Sequence, residues 1–248
     1  MSGMADLGWL LAPAAALILG ALTLAPLGQQ VFRRRMIFLD LALAQLSACG
    51  ALAAGCWLEH PPQWVTGGAA ATAALLGAAL ASHIGRMPAG QREPRVGLLY
   101  VAGAAAAIVL AAADPHGREH LLKLLAGDVL WVRGDTLVPL AVAAAALSAT
   151  AGSGLLGKDR VFYPLFAVVL SVAVPLLGLY LVFALLVTPA LWWSRGCPLS
   201  AAAAAAALAA VAGLGISVAT DWPSSATVTL MLAVGGLMSR ARRRRCLQ

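Results

Sequence analysis

Charge is the feature that this sequence of 248 residues has least of. Only 11% of the residues are charged and 10 are acidic, whereas 61% are hydrophobic. Soluble domains carry roughly a quarter of their residues as charged side chains, and the mean hydropathy of +0.87 is far above their range. Several apolar runs reach about 20 residues, the length that crosses a bilayer core as a helix. We therefore interpret the chain as an integral membrane protein.

Motifs of enzyme active sites are also missing. The sequence has no glycine-rich phosphate loop with a lysine, no His-Glu-x-x-His motif and no Ser/His/Asp set that the topology could bring together. The chain is therefore not expected to be an enzyme or to need a cofactor, and any energy source must come from a partner. Its four cysteines include no Cys-x-x-Cys pair, which argues against a disulfide framework.

Apolar segments separated by short polar loops predict an all-α, polytopic bundle of about nine transmembrane helices. These segments cover residues 7–28, 37–57, 65–84, 96–113, 136–156, 162–176, 178–193, 199–218 and 225–238. The stretch 162–193 is either one steep helix, which would give eight spans, or a tight pair broken near Pro175 and Gly178. We expect residues 1–248 to form a single transmembrane domain that ends in a short basic tail at 239–248.

Basic residues are unevenly distributed over the loops. Because Lys and Arg near the ends of spans stay in the cytoplasm, the basic loops and the tail are predicted inside, and 58–64, 114–135 and 219–224 outside. Loops 157–160 and 194–196 lie on the same side only if 162–193 crosses twice, which favours nine spans. The net charge of +7 is explained by this topology and by attraction to anionic membrane lipids, not by nucleic-acid binding.

One predicted outer loop contains potential metal ligands. The stretch "DPHGREH" places His116 and His120 four residues apart, so that in a helix the two imidazoles would share a face, as zinc ligands often do. The alternative is a solvated loop that opens the amphipathic stretch "HLLKLLAGDVLWV".

Four separated motifs occur in one order: "APLGQQVFRRRMIFLDLALAQLSACG", "LLAGDVLWV", "GLYLVFALLVTPALWW" and "ATDWPSSATVTLML". Together they resemble the inner-membrane permeases of zinc-, manganese- and iron-type ABC importers over nearly the whole chain. The resemblance implies the permease subunit of an ATP-driven importer for a divalent metal cation, zinc or manganese, in the bacterial inner membrane. It also implies a homodimer, an ATP-binding subunit and an extracytoplasmic metal-binding protein as partners.

The second helix departs from the pattern of these permeases, which carries an aspartate and a histidine. Aligning it on Phe38 and Gly50 places Leu41 at the aspartate and Gln45 at the histidine, while Asp40 lies one residue early. An amide and a leucine are poor ligands for a divalent ion. Two alternatives therefore stay open, namely a membrane scaffold or sensor that transports nothing, and an ABC permease for another substrate such as a metal chelate.

Asp40 and Gln45 are still the translocation-path candidates on this helix. Asp40 lies about one turn inside the membrane, where it either lines the path or is an interfacial carboxylate held by an arginine of 33–35. Gln45 lies close to the bilayer midplane, where its amide either bonds to another helix or lines the path. The two residues are five apart and point to different sides of the helix.

The segment between the fifth and sixth predicted spans is also shorter than in these permeases, where a longer stretch is taken to contact the ATPase. Only "GLLGKDRVFYPLF" is present here. The resemblance thus implies Gly157, Lys158, Asp159 and Arg160 as the candidates for coupling to the ATPase.

Overall fold

The computed structural model describes residues 7–58, 61–113, 116–127, 129–134 and 136–238. These residues form ten α-helices, three short 3₁₀ turns and no strand. The helices are α1 (Leu11–Arg34), α2 (Leu39–Trp57), α3 (Gln63–Ile84), α4 (Ala89–Ala113), α5 (Gly117–Ala126), α6 (Leu137–Gly152), α7 (Asp159–Leu177), α8 (Leu179–Ser194), α9 (Leu199–Thr220) and α10 (Ser224–Met238). The predicted basic tail at 239–248 lies outside the described residues.

Nine of the described helices are apolar and match the nine predicted spans. Six are long and apolar enough to cross a membrane, namely α1 to α4, α7 and α9, whereas α6, α8 and α10 are apolar but shorter. The remaining helix, α5, lies within the predicted outer loop and alternates charged with apolar residues, "GREHLLKLLA". The prediction of an all-α, polytopic membrane bundle is confirmed.

The stretch 162–193 is broken, as one of the two sequence alternatives predicted. The break is at Gly178, whose φ of 85° and ψ of 151° are accessible almost only to glycine, while Pro175 is accommodated inside α7. Gly178 also lies directly against the backbone of Gly127 at the end of α5, so that a Cβ at either position would collide with the other segment. The chain therefore reverses direction where α5 packs against it.

The basic loops meet at one end of the bundle. The Arg34 Nη2 atom lies 3.0 Å from the Asp159 Oδ1 atom, and the Arg33 guanidinium lies 5.1 Å from the ring centre of Trp193. At the opposite end, the Val129 amide donates to the Ser225 hydroxyl at 3.3 Å, next to the reversal at Gly178. Segments 157–160 and 194–196 thus lie at the same end, as two crossings of 162–193 require.

Small residues bring particular helices into backbone contact. Gly28 of α1 packs against the carbonyl group of Leu186 on α8, and Gly50 of α2 packs against that of Ala69 on α3. A Cβ at either glycine would overlap these carbonyl oxygens, so glycine is needed for the close approach. These contacts fix α8 against α1, and α2 against α3, and so position the walls of the site described next.

Candidate translocation path and coupling surface

A cavity of about 540 Å³ lies among the apolar helices. Its wall is formed by residues of α2, α4, α5, α8 and α10: Leu41, Gln45, Tyr100, Leu125, Leu179, Tyr180, Phe183, Ala184, Val187, Thr188, Leu191, Thr229, Ala233, Gly236 and Leu237. Leu41 and Gln45 are one helical turn apart, so both face it. The cavity wall therefore contains the two residues that the sequence resemblance aligned with the aspartate and histidine of the permease motif.

Gln45 is packed into this wall, and its side-chain amide is not used in a hydrogen bond to a neighbouring helix of the described chain. The residue is only 4% exposed, and its Cβ packs closely against Gly103 of α4. Its side chain forms no hydrogen bond with any residue that the structure describes. The interhelical hydrogen bond that the sequence left open is thus not observed, and both amide atoms remain available to the cavity.

The other polar groups of the wall are phenols and hydroxyls. Tyr100 and Tyr180 line it, as do Thr188 and Thr229, whose hydroxyls donate to the carbonyl groups of Leu232 and Ser225 at 3.3 and 2.7 Å. The described lining includes no charged side chain, histidine or cysteine. The described wall is accordingly neutral and offers a cation uncharged oxygen ligands.

Asp40 lies away from this cavity. It is 1% exposed, and neither carboxylate oxygen has a hydrogen-bond partner among the described residues. The predicted contact with the arginines of 33–35 is not formed, since neither Asp40 oxygen has a hydrogen-bond partner among the described residues, and Arg34 is bound to Asp159 and Gln30 instead. A buried carboxylate without a partner is costly to ionise. The structure therefore brings Gln45, but not Asp40, to the cavity wall.

Glu93 makes a contact near the site that sequence reasoning missed. Its carboxylate accepts hydrogen bonds from the Ile37 and Phe38 amides at 3.1 and 3.2 Å, and so caps the first turn of α2. The contact joins α4 to the start of the helix that carries Gln45. Nothing in the spacing of the sequence signals a bond between residues 55 or more positions apart.

The coupling candidates form an exposed corner at the basic end. Gly157 closes a 3₁₀ turn, Lys158 is the N-cap of α7, and Asp159 and Arg160 begin that helix. All four are exposed, whereas Leu156 is buried beneath them. The structure thus brings the predicted residues together in one short surface element.

Arg34 ties this corner to α1. Its guanidinium donates to Asp159 Oδ1 from two nitrogens at 3.0 and 3.3 Å, to the Gly157 carbonyl at 3.1 Å and to Gln30 Oε1 at 2.6 Å. It also stacks on Phe162, with the guanidinium carbon 4.0 Å from the ring centre. Because the planar guanidinium donates in several fixed directions, these contacts fix both the position and the orientation of Arg34 relative to the coupling corner. Movement of the coupling corner would therefore move the end of α1.

His116 and His120 lie on α5 and its N-cap, and both are exposed. Between them, Glu119 forms a 2.7 Å ion pair with Lys123, which holds the pKa of Glu119 below its usual range. The described residues contain no group of three or more potential metal ligands, and Asp114 lies outside them. A metal site at His116 and His120 stays a prediction.

The structure is that of a polytopic helical membrane protein with a cavity among its spans. An exposed segment at one end, Gly157–Arg160, is bound to these spans through Arg34. Proteins of this class include transport permeases. The profile of the ABC 3 transport family matches residues 9–153, which is more than half of the chain. The chain belongs to this family, and so is a metal ABC transporter permease and a multi-pass membrane protein, as its motifs indicated.

A solved structure has the same fold as this chain over almost the whole length of both. PsaBC from Streptococcus pneumoniae, solved in complex with a Fab, aligns with a TM-score of 0.71 and 19% sequence identity. The alignment covers 99% of this chain and 96% of that chain. A comparison with curated protein sequences found no match.

Proposed function

We propose that this permease imports a divalent metal cation, zinc or manganese, across a bacterial inner membrane through the cavity lined by Leu41 and Gln45. The observation that carries the proposal is the position of these two residues. They occupy the motif positions of the family and lie on the wall of the same cavity. The cation would pass the Gln45 carbonyl and the hydroxyl and phenol oxygens of the wall, which can replace part of a hydration shell.

The energy would come from partners. We propose that two copies of the chain form a homodimer with two cytoplasmic ATP-binding-cassette subunits, which hydrolyse ATP, and that an extracytoplasmic metal-binding protein delivers the cation. The exposed corner Gly157–Arg160 would contact the ATPase. Its movement would reach α1 through Arg34, and then α8 through the contact of Gly28 with Leu186. Because α8 forms one wall of the cavity, this route would link hydrolysis to alternating access.

A second candidate substrate is a metal chelate. The neutral wall lacks the carboxylate, imidazole and thiolate groups that bind bare divalent ions most strongly. The volume of about 540 Å³ also falls within the roughly 300–1,000 Å³ typical of sites for small organic ligands. An uncharged complex that carries its own ligands would need no charged side chain in the path.

Uptake assays separate these candidates. Cells with and without the gene would express the ATP-binding subunit or a variant of it that cannot hydrolyse ATP. These cells would then be given radiolabelled zinc or manganese, either free or bound to a chelator. We expect ATP-dependent uptake of the free ion. Uptake of the chelated metal alone would establish the second candidate, and equal uptake with and without the gene would contradict both.

A further inference from the structure

A second cavity at the basic end is lined mainly by polar groups. Its volume is about 430 Å³, and it lies where α1, the turn after α3, α4 and the coupling corner meet. The lining residues are Gln30, Arg33, Arg34, Met36, Gly85, Arg92, Gly157, Asp159 and Tyr163. Three arginines against one aspartate leave an excess of two positive charges in one concave site.

Two of these arginines have unused donors. Arg33 presents the face of its guanidinium to Trp193, which leaves its N–H edges free, and Arg92 uses its Nε atom on the Met87 carbonyl at 2.7 Å. Neither forms an ion pair with any residue in the described parts of the chain. Arg34, in contrast, is already neutralised by Asp159. The unbalanced charge therefore belongs to Arg33 and Arg92, which come from different elements and line the same space.

We propose that this cavity binds a phosphate group through Arg33 and Arg92. Guanidinium groups bind phosphate oxygens by paired, charge-assisted hydrogen bonds, and two of them from separate elements can hold one group from two sides. The source is either the headgroup of an anionic lipid of the inner leaflet or a soluble phosphate compound. Because Gly157 and Asp159 also line the cavity, a bound phosphate would lie beside the coupling corner and stabilise its contact with α1.

Topology alone would also place arginines at this end, so the control must carry the same change in charge. The test variant is Arg33→Gln with Arg92→Gln. The control is Arg35→Gln with Arg95→Gln, since Arg35 and Arg95 lie in the same two segments but do not line the cavity. Circular dichroism and size-exclusion chromatography would verify that both double variants are folded.

Two binding measurements on the purified full-length permease distinguish the sources. Native mass spectrometry would count phosphatidylglycerol retained in competition with phosphatidylcholine, and equilibrium dialysis would measure binding of radiolabelled pyrophosphate. We expect saturable binding of at least one probe, a loss of about tenfold or more in the Arg33/Arg92 variant, and none in the control. Retention of phosphatidylglycerol alone would identify the lipid as the source, and binding of pyrophosphate would identify the soluble compound.

Two results would overturn the proposal. Equal losses in both double variants would indicate diffuse attraction to the basic end rather than a site. Binding of neither probe to the folded wild type would also contradict it. Loss of ATPase association in the Arg33/Arg92 variant, without binding of either probe to the wild type, would assign the cavity to an acidic segment of the partner. These measurements need no transport, so they stand or fall independently of the substrate proposed above.

Discussion

At the scale of single residues, the main feature of this permease is that the described wall of its cavity carries no charged side chain. The sequence resemblance aligns Leu41 and Gln45 with the aspartate and histidine of the permease motif, and neither Leu41 nor Gln45 carries a charge. The carboxylate that is present, Asp40, is turned about 100° away on the helix and is buried without a partner. The cavity thus offers an amide and hydroxyl oxygens, whereas the carboxylate of this helix lies outside its lining.

The isolation of Asp40 predicts the effect of neutralising it. Asp40→Asn keeps the shape of the side chain and removes a group that is costly to bury in charged form. We expect the amount of permease in the membrane and its unfolding temperature to be no lower than in the wild type, with uptake per molecule unchanged. Quantitative immunoblotting, thermal unfolding in detergent and metal uptake would measure this. A clear fall in uptake per molecule at normal abundance would return Asp40 to the path.

Sequence reasoning could place residues on a face but could not identify what lies opposite that face. The spacing of Leu41 and Gln45 predicts that they lie together, and Asp40 apart from them, because helical geometry is local. Tyr180 and Thr229 reach the same cavity from α8 and α10. Which residues of α8 and α10 face the cavity depends on how distant helices rotate against one another, and the spacing of residues along a single helix does not determine that rotation.

At the scale of elements, the reversal between α7 and α8 organises the bundle. Proline and glycine near 175–178 predicted a break, and the structure assigns it to Gly178, since Pro175 is accommodated within α7. By contrast, the hydrogen bonds of Arg34 to Asp159 join residues 125 positions apart. No local pattern could have predicted that contact, because an arginine at the end of a helix has many equivalent partners in the sequence.

Substituting Gly178 tests the reversal. Gly178→Ala introduces a Cβ at positive φ and against the backbone of Ala126 and Gly127. We expect a loss of about 2 kcal/mol or more in stability, seen as a lower unfolding temperature and less permease in the membrane. Gly215→Ala in α9 is the control, because no atom lies within 4 Å of its added Cβ. Equal stability of the two variants would mean that the chain does not turn as described.

The link between Arg34 and the coupling corner makes a second prediction at this scale. Arg34→Gln removes the ion pair with Asp159 and the bond to the Gly157 carbonyl, which tie the corner to α1. We expect ATP hydrolysis by the assembled complex to continue while metal uptake per ATP falls about tenfold. Arg35→Gln, next in sequence, should leave this ratio unchanged.

Replacing Gly157–Arg160 by a neutral linker should have the same effect as Arg34→Gln. A normal ratio in both variants would place the ATPase contact elsewhere.

At the scale of the whole molecule, the distribution of charge defines two ends. The loops with Arg33, Arg34 and Asp159 meet at one end, whereas the turn Val129–Trp131 after α5 meets the start of α10 at the other. The rule that basic loops stay in the cytoplasm assigns the first end to the inside. In the proposed orientation, the coupling corner would be accessible to an ATPase and α5 to an extracytoplasmic protein.

Reporter fusions would test this orientation. We expect fusions at 85–95, 157–160 and 194–196 to report the cytoplasm, and fusions at 58–64, 114–135 and 219–224 to report the outside. The physical reason is the cost of moving arginines across the membrane. Opposite locations for 157–160 and 194–196 would contradict the two crossings of 162–193.

The central claim is that the helix face carrying Gln45 lines the metal path, and one measurement tests it most directly. Initial uptake of radiolabelled zinc and manganese, divided by the amount of permease in the membrane, would be compared for wild type, Gln45→Leu and Gln45→His. We expect the leucine variant to lose uptake per molecule, because it removes an oxygen that can replace hydrating water. The histidine variant should shift preference toward zinc, since imidazole binds zinc better than an amide does. Equal rates per molecule for all three proteins, for both metals, would contradict the claim.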